Sequence, residues 1–243
     1  MSDKQTIIDQ IRQAFGGNEY PGDGYLQGSR EGCEPDEEVG PFVGRRNWQK
    51  LAPEFLDGHY AAPSFFSEAG FRFFLPAYLV ADLQGQLNTA DPVFHLTHGF
   101  FDITVESPVK GRVFLLKTGK SKLLNPRRYG AMTFNDYARY RLSVFTREEA
   151  AVIVAYLKFR MNAAGTKVEK EQIEAAFDAF WLERSQAAPT AAALQQHLTE
   201  EKAYFGAIMH RRGSPESSGE GPPGTCGLRP EDSVSSEPGV KEK

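Results

Sequence analysis

The chain has 243 residues, 28 of them basic and 32 acidic, for a formal charge of −4. That balance fits one globular domain with an appendage and excludes a global attraction to nucleic acid or anionic membrane. Its two cysteines, Cys33 and Cys226, lie far apart, so they build neither a disulfide framework nor a metal-ligand spacing, and such usage suits a reducing cytoplasm.

The opening stretch, MSDKQTIIDQIRQAF, has acids and amides where a signal peptide has a basic start and an apolar run. Ile7, Ile8, Ile11 and Phe15 instead fall at helical spacing, and the helix should stop at Gly16 and Gly17. YPGDG at Tyr20 to Gly24 is turn chemistry, with Gly22 or Gly24 free to take positive φ. EGCEPDEE, Glu31 to Glu38, carries five carboxylates in eight residues and is expected to be a mobile surface loop. Asn47 is placed to cap a short helix carrying Trp48 and Leu51, with Trp48 as a core anchor.

Phe71 to Leu83, FRFFLPAYLVADL, is apolar on nearly every face and reads as a central buried helix capped by Ser67. Its uninterrupted apolar run, Phe73 to Ala81, is far below the roughly 20 residues a bilayer requires, which argues against a membrane span. Pro76 inside it removes one backbone hydrogen bond, so a kink or two abutting helices are expected. Arg72 and Asp82 interrupt it and, about 80° apart on the wheel, need not share a face. Each is expected to mark a rim or to pair with another element, Arg72 with Asp23 for example.

From Phe100 the period changes: Phe101, Ile103 and Val105 alternate with polar residues, SPVKG makes a turn, and Val113 to Leu116 is β-prone, which reads as a hairpin. TREE, Thr146 to Glu149, is a capping box. The stripe Ala150, Ile153, Val154, Leu157, Met161 follows, then Ile173, Ala176, Phe177, Phe180, Trp181, then Leu194, Leu198, Phe205, Ile208, Met209. Three consecutive amphipathic helices imply helix-on-helix packing. From Gly213 onward 31 residues include six Gly, five Pro and six Ser, a composition expected to be disordered. The expected fold is therefore mainly α: a single bundle-like domain over residues 1–212 with a small β-hairpin, then a disordered tail over 213–243.

YPGD at Tyr20 to Asp23, FRFFLPAYL at Phe71 to Leu79, and FTREEAAVIVAYLKF at Phe145 to Phe159 together resemble an uncharacterised bacterial family known only as domain of unknown function 6714. The resemblance covers about Ile7 to Phe159 and implies a compact, cytoplasmic, bacterial protein. It brings no activity and no catalytic residue with it.

KTGKS, Lys117 to Ser121, superficially resembles a phosphate-binding loop, but Phe114 stands where that loop needs its first glycine. His95 and His98, with Asp91 and Asp102 close in sequence, are the nearest approach to a metal site, yet no HExxH pattern or cysteine pair completes it. No metal and no cofactor is assigned. A GxSxG elbow is also absent, and neither cysteine has an activating context. The strongest signal is electrostatic: Lys110 to Arg147 holds ten basic residues against one acid, Asp136, a local net of +9. Tyr129, Tyr137 and Tyr140 interleave with the arginines. A solvated basic face is the bland explanation. Lys120, Arg127, Arg128, Tyr129, Arg139 and Arg141 are the candidate binding residues, with an acidic protein as partner. Nucleic acid fits less well, because the net charge is negative and no recognised binding motif occurs. Tyr20, Asp23, Arg72 and Tyr78 form a second candidate, a pocket beside Pro76. These features predict a cytoplasmic interaction or accessory module, toxin neutralisation being one such role. The competing readings are an enzyme with its site near Pro76 or at His95 and His98, and nucleic-acid binding through Lys110 to Arg147.

Overall fold

The computed structural model describes residues 3–28, 33–101, 104–109, 112–117, 122–125, 130–187 and 189–213; for 104–132, 191 and 208–213 the description is of the backbone alone. The tail from 214 lies outside the described residues. The described chain is mainly helical, with two short antiparallel strand pairs and no larger sheet among the described residues.

Helix α1 (Asp3–Phe15) buries Ile7, Ile8, Ile11 and Phe15, the predicted stripe, against both α5 (Glu68–Leu83) and α8 (Arg147–Ala163). The YPGD turn enters a short 3₁₀ turn, Asp23–Tyr25, after Gly22 at φ 101°, a region that favours glycine. The acidic stretch is not a loop throughout: Glu34–Val39 forms helix α2, with Pro35 and Val39 buried. Pro35 suits a first helical turn, and carboxylates there meet the positive end of the helix dipole, so the charges that argued against packing favour this helix start. Asn47 accepts from the Gln49 amide and caps the 3₁₀ turn Trp48–Lys50, with Trp48 buried. Short helices α3 (Pro53–Gly58) and α4 (Ala62–Phe65) follow.

Helix α5 continues as one element through Pro76. Ser67 caps it by accepting from the Gly70 amide at 2.9 Å and donates to the Tyr25 carbonyl. A side chain at Gly70 would come within 2.7 Å of the Leu26 carbonyl, so a glycine lets the preceding loop lie against the helix start. Phe42 packs on Phe55, Phe66 and Phe74 at centroid separations of 4.8 to 4.9 Å, an aromatic core beneath α5.

Helix α6 (Pro92–Thr97) is capped by Asp91. Strands β1 (Thr104–Val109) and β2 (Arg112–Lys117) pair antiparallel, in the region read as a hairpin, but Ser107 to Val109, read as part of the turn, are paired residues of β1. A second pair, β3 (Lys122–Asn125) with β4 (Gly130–Thr133), has no counterpart in the sequence reading. It leads directly into α7 (Phe134–Leu142), started by a Thr133–Asp136 capping box. The predicted box at Thr146 and Glu149 starts α8. After α9 (Lys167–Ala176) the chain makes a π turn, Phe177–Trp181, in which Phe177, Phe180 and Trp181 are all buried. Trp181 Nε1 donates to the Leu96 carbonyl at 2.8 Å. Helices α10 (Leu182–Gln186) and α11 (Ala191–Gly213) complete the described chain. No helix among the described residues is long and apolar enough to cross a membrane.

Candidate functional site

Both polar interruptions of α5 turn to α8. Arg72 Nε donates to Glu149 at 2.9 and 3.1 Å, not to Asp23, and its guanidinium also reaches Asn18 Oδ1 at 3.3 Å. Asp82 accepts from the Tyr156 hydroxyl at 2.7 Å and pairs with Arg160, which also holds Glu169. Burial and then Asp82 raise the Tyr156 phenol well above its ordinary value. The pairs link the same order of residues on each helix, so α5 and α8 are held parallel, with α1 packed on both.

Glu149 is the central acceptor. Only 1 % of its side chain is exposed, and it takes hydrogen bonds from Arg72, from Asn18 Nδ2 at 2.7 Å and from the Thr146 amide at 2.8 Å. The capping box marked Glu149 as a helix start; nothing local marked it as the partner of Arg72, 77 residues away.

Tyr20 and Arg72 line one cleft of about 430 Å³ with Asn18, Phe73, Gln195 and Lys202. Asp23 holds this rim without lining it: it accepts from the Tyr20 hydroxyl at 2.6 Å and from the Gly44 amide at 3.0 Å. Those bonds lower the Asp23 carboxyl, while partial burial and Asp23 push the Tyr20 phenol up to about 12. Tyr78 lies apart from the other three candidates, buried, with its hydroxyl donating to the His59 carbonyl at 2.9 Å. Within the cleft Arg72 and Asn18 are thus held by one another and by Glu149, and Tyr20 by Asp23.

Of the basic candidates, Lys120, Arg127, Arg128 and Tyr129 lie outside the described residues. Arg139 is exposed and donates to Asn135 at 2.8 Å. Arg141, two residues on, is part-buried. It donates to the Pro63 carbonyl and lies 4.7 Å from the centre of the Phe71 ring. It lines a cavity of about 220 Å³ with Phe94, His95, His98, Phe134 and Tyr137. Burial, then Arg141, then His98 drive the His95 imidazole down to about 3; burial and Arg141 lower His98. Both rings are neutral at neutral pH. Among the described residues no carboxylate pairs with Arg141, and no three His, Cys, Asp or Glu side chains converge as metal ligands.

Arg184, unmarked in the sequence, donates to the Ser143 and Phe145 carbonyls and ties the connection between α7 and α8. Burial lowers its guanidinium from the usual value.

No curated protein and no solved structure matches the chain. A family model does, over residues 3–185, which takes in the α1, α5 and α8 assembly, both ion-pair systems and the Arg141 cavity. The chain belongs to the Family of unknown function (DUF6714).

Proposed function

We propose that the protein is a binding module for an acidic segment of another protein, with Arg141 as a recessed carboxylate receptor inside the basic stretch Lys110 to Arg147. The observation that carries this reading is a part-buried guanidinium with no carboxylate partner among the described residues. A cation withdrawn from water is costly unless paired, so a carboxylate supplied from outside gains more here than at an exposed arginine. The flanking imidazoles are neutral and add no competing charge. At about 220 Å³ the cavity holds a single side chain, and it is smaller than the roughly 300 to 1,000 Å³ usual for small-molecule sites. Exposed Arg139, on the same helix, adds positive charge that steers an acidic chain.

The test is fluorescence anisotropy with a labelled oligoglutamate peptide. Arg141→Gln should bind at least about tenfold more weakly than wild type, and Arg139→Glu should mainly slow association. Equal affinity of wild type and Arg141→Gln, with unchanged circular dichroism, contradicts the proposal. An affinity for oligonucleotide that exceeds the peptide's and falls steeply with salt favours nucleic acid instead.

A second reading, an enzyme acting on a small carboxylate, draws on neutral His98 beside Arg141, a base next to an anion clamp. It requires turnover that His98→Gln abolishes while leaving peptide affinity unchanged.

A further inference from the structure

A cavity of about 300 Å³ lies where the end of α7 meets the π turn and α10. It is lined by Arg139 and the C-cap Ser143 of α7, by Phe180, and by Glu183 and Arg184 of α10. Arg139 stands two residues before Arg141, about 200° around the helix. This cavity and the one beside His98 therefore lie on opposite sides of α7. Two guanidinium groups from different elements thus line one space.

The fold leaves the charge of both groups unanswered. Arg139 donates from Nε to Asn135 at 2.8 Å, and its terminal nitrogens make no bond among the described residues. In Arg184 one terminal nitrogen, Nη2, serves the Ser143 and Phe145 carbonyls, while Nε, shielded from water, has no acceptor among the described residues. Carbonyls accept hydrogen bonds but bring no net charge, and a cation partly withdrawn from water is costly unless an anion answers it. Burial lowers the Arg184 guanidinium; Glu149 opposes that lowering without pairing with it, being committed to Arg72. Glu183 lines the cavity, yet among the described residues no carboxylate forms an ion pair with Arg139 or Arg184.

We propose that this cavity binds a small phosphomonoester, with Arg139 and Arg184 on its phosphate and Phe180 against its carbon part. A phosphomonoester carries about −1.5 to −2 charge at neutral pH and offers three strong acceptor oxygens, which suits two guanidinium groups, whereas one guanidinium fork already satisfies a carboxylate. The cavity is at the lower end of the roughly 300 to 1,000 Å³ usual for small-molecule sites, so the ligand is small. The inference concerns the α10 side of α7 and stands apart from the acidic-partner reading of Arg141.

The test is isothermal titration calorimetry on the full chain at low salt, with inorganic phosphate and glycerol 3-phosphate as probes. Both should bind wild type saturably, the ester more tightly because it also covers Phe180. Arg139→Gln should weaken both by about tenfold or more, through the loss of charge-assisted hydrogen bonds. Glu183→Gln, which removes an acid from the cavity lining, should tighten both. Arg12→Gln removes the same charge from an exposed arginine of α1 and should leave both affinities unchanged. Arg184→Gln also releases the connection between α7 and α8, so Arg139 and Glu183 decide the matter if that variant does not fold. Equal affinity of wild type and Arg139→Gln, with unchanged circular dichroism, overturns the proposal, as do equal losses in Arg139→Gln and Arg12→Gln. Saturable binding of neither probe, even by Glu183→Gln, overturns it as well. Inorganic phosphate bound more tightly than the ester overturns the ester and assigns the cavity to free phosphate.

Discussion

Arg72 and Arg141 are both guanidinium groups withdrawn from bulk water, and they differ in what answers their charge. Arg72 meets Glu149, itself held by Asn18 and the Thr146 amide, so its charge is answered within the fold. Arg141 meets a carbonyl and an aromatic face. The contrast separates two settings of a recessed cation: the first ties loop 17–21, α5 and α8 together, and the second, on the proposed reading, leaves a charge for a partner to answer.

The largest expected effect comes from making the first site resemble the second. Glu149→Ala strands Arg72 and removes the capping box of α8, and should cost about 3 to 5 kcal/mol in urea unfolding. A double-mutant cycle with Arg72→Ala should recover part of that loss, and a Glu149→Ala cost under about 1 kcal/mol breaks the comparison.

Acid acts on the second site. His95 is neutral in the fold because burial and Arg141 lower it to about 3, whereas an unfolded histidine titrates near 6.5. Its contribution to stability is therefore complete above the unfolded value and is lost as pH falls from there towards about 3. The stability curve should acquire a slope approaching 1.4 kcal/mol per pH unit, at most about one proton's worth. His98, also lowered, adds to the same limb. His95→Gln should flatten that limb, and an unchanged curve contradicts the assignment.

The smallest expected effect comes from making the second site resemble the first. Ser64 lines the Arg141 cavity, so Ser64→Asp offers Arg141 an internal carboxylate. Thermal stability should change by less than about 1 kcal/mol, as for a partly exposed pair, while oligoglutamate affinity should fall. Retained affinity would mean that peptide binding does not run through Arg141.

The helix starts were legible because capping is local: Ser67, Thr146 and Asn47 each stand within three residues of the amide they satisfy. The stripe of α1 was legible for the same reason of short range. Partner choice was not. Arg72 goes to Glu149, far along the chain, and to Asn18, whereas Asp23 takes the Tyr20 hydroxyl and the Gly44 amide. The acidic stretch misled because charge was counted without helix position, although Pro35 and Asp36 fall where a first turn favours them. Arg141 misled in the opposite sense. A charge count over Lys110 to Arg147 treats every arginine as exposed, while helical rotation carries Arg139 to solvent and Arg141 over Phe71. The four remaining basic and aromatic candidates, Lys120, Arg127, Arg128 and Tyr129, lie outside the described residues.

The most direct test measures urea stability and oligoglutamate affinity in parallel for Arg72→Gln and Arg141→Gln. The account predicts a crossed result: Arg72→Gln loses stability and, where folded, keeps its affinity, whereas Arg141→Gln keeps its stability and loses its affinity. If Arg141→Gln binds as wild type does, or loses stability as Arg72→Gln does, Arg141 is another structural cation and the account fails.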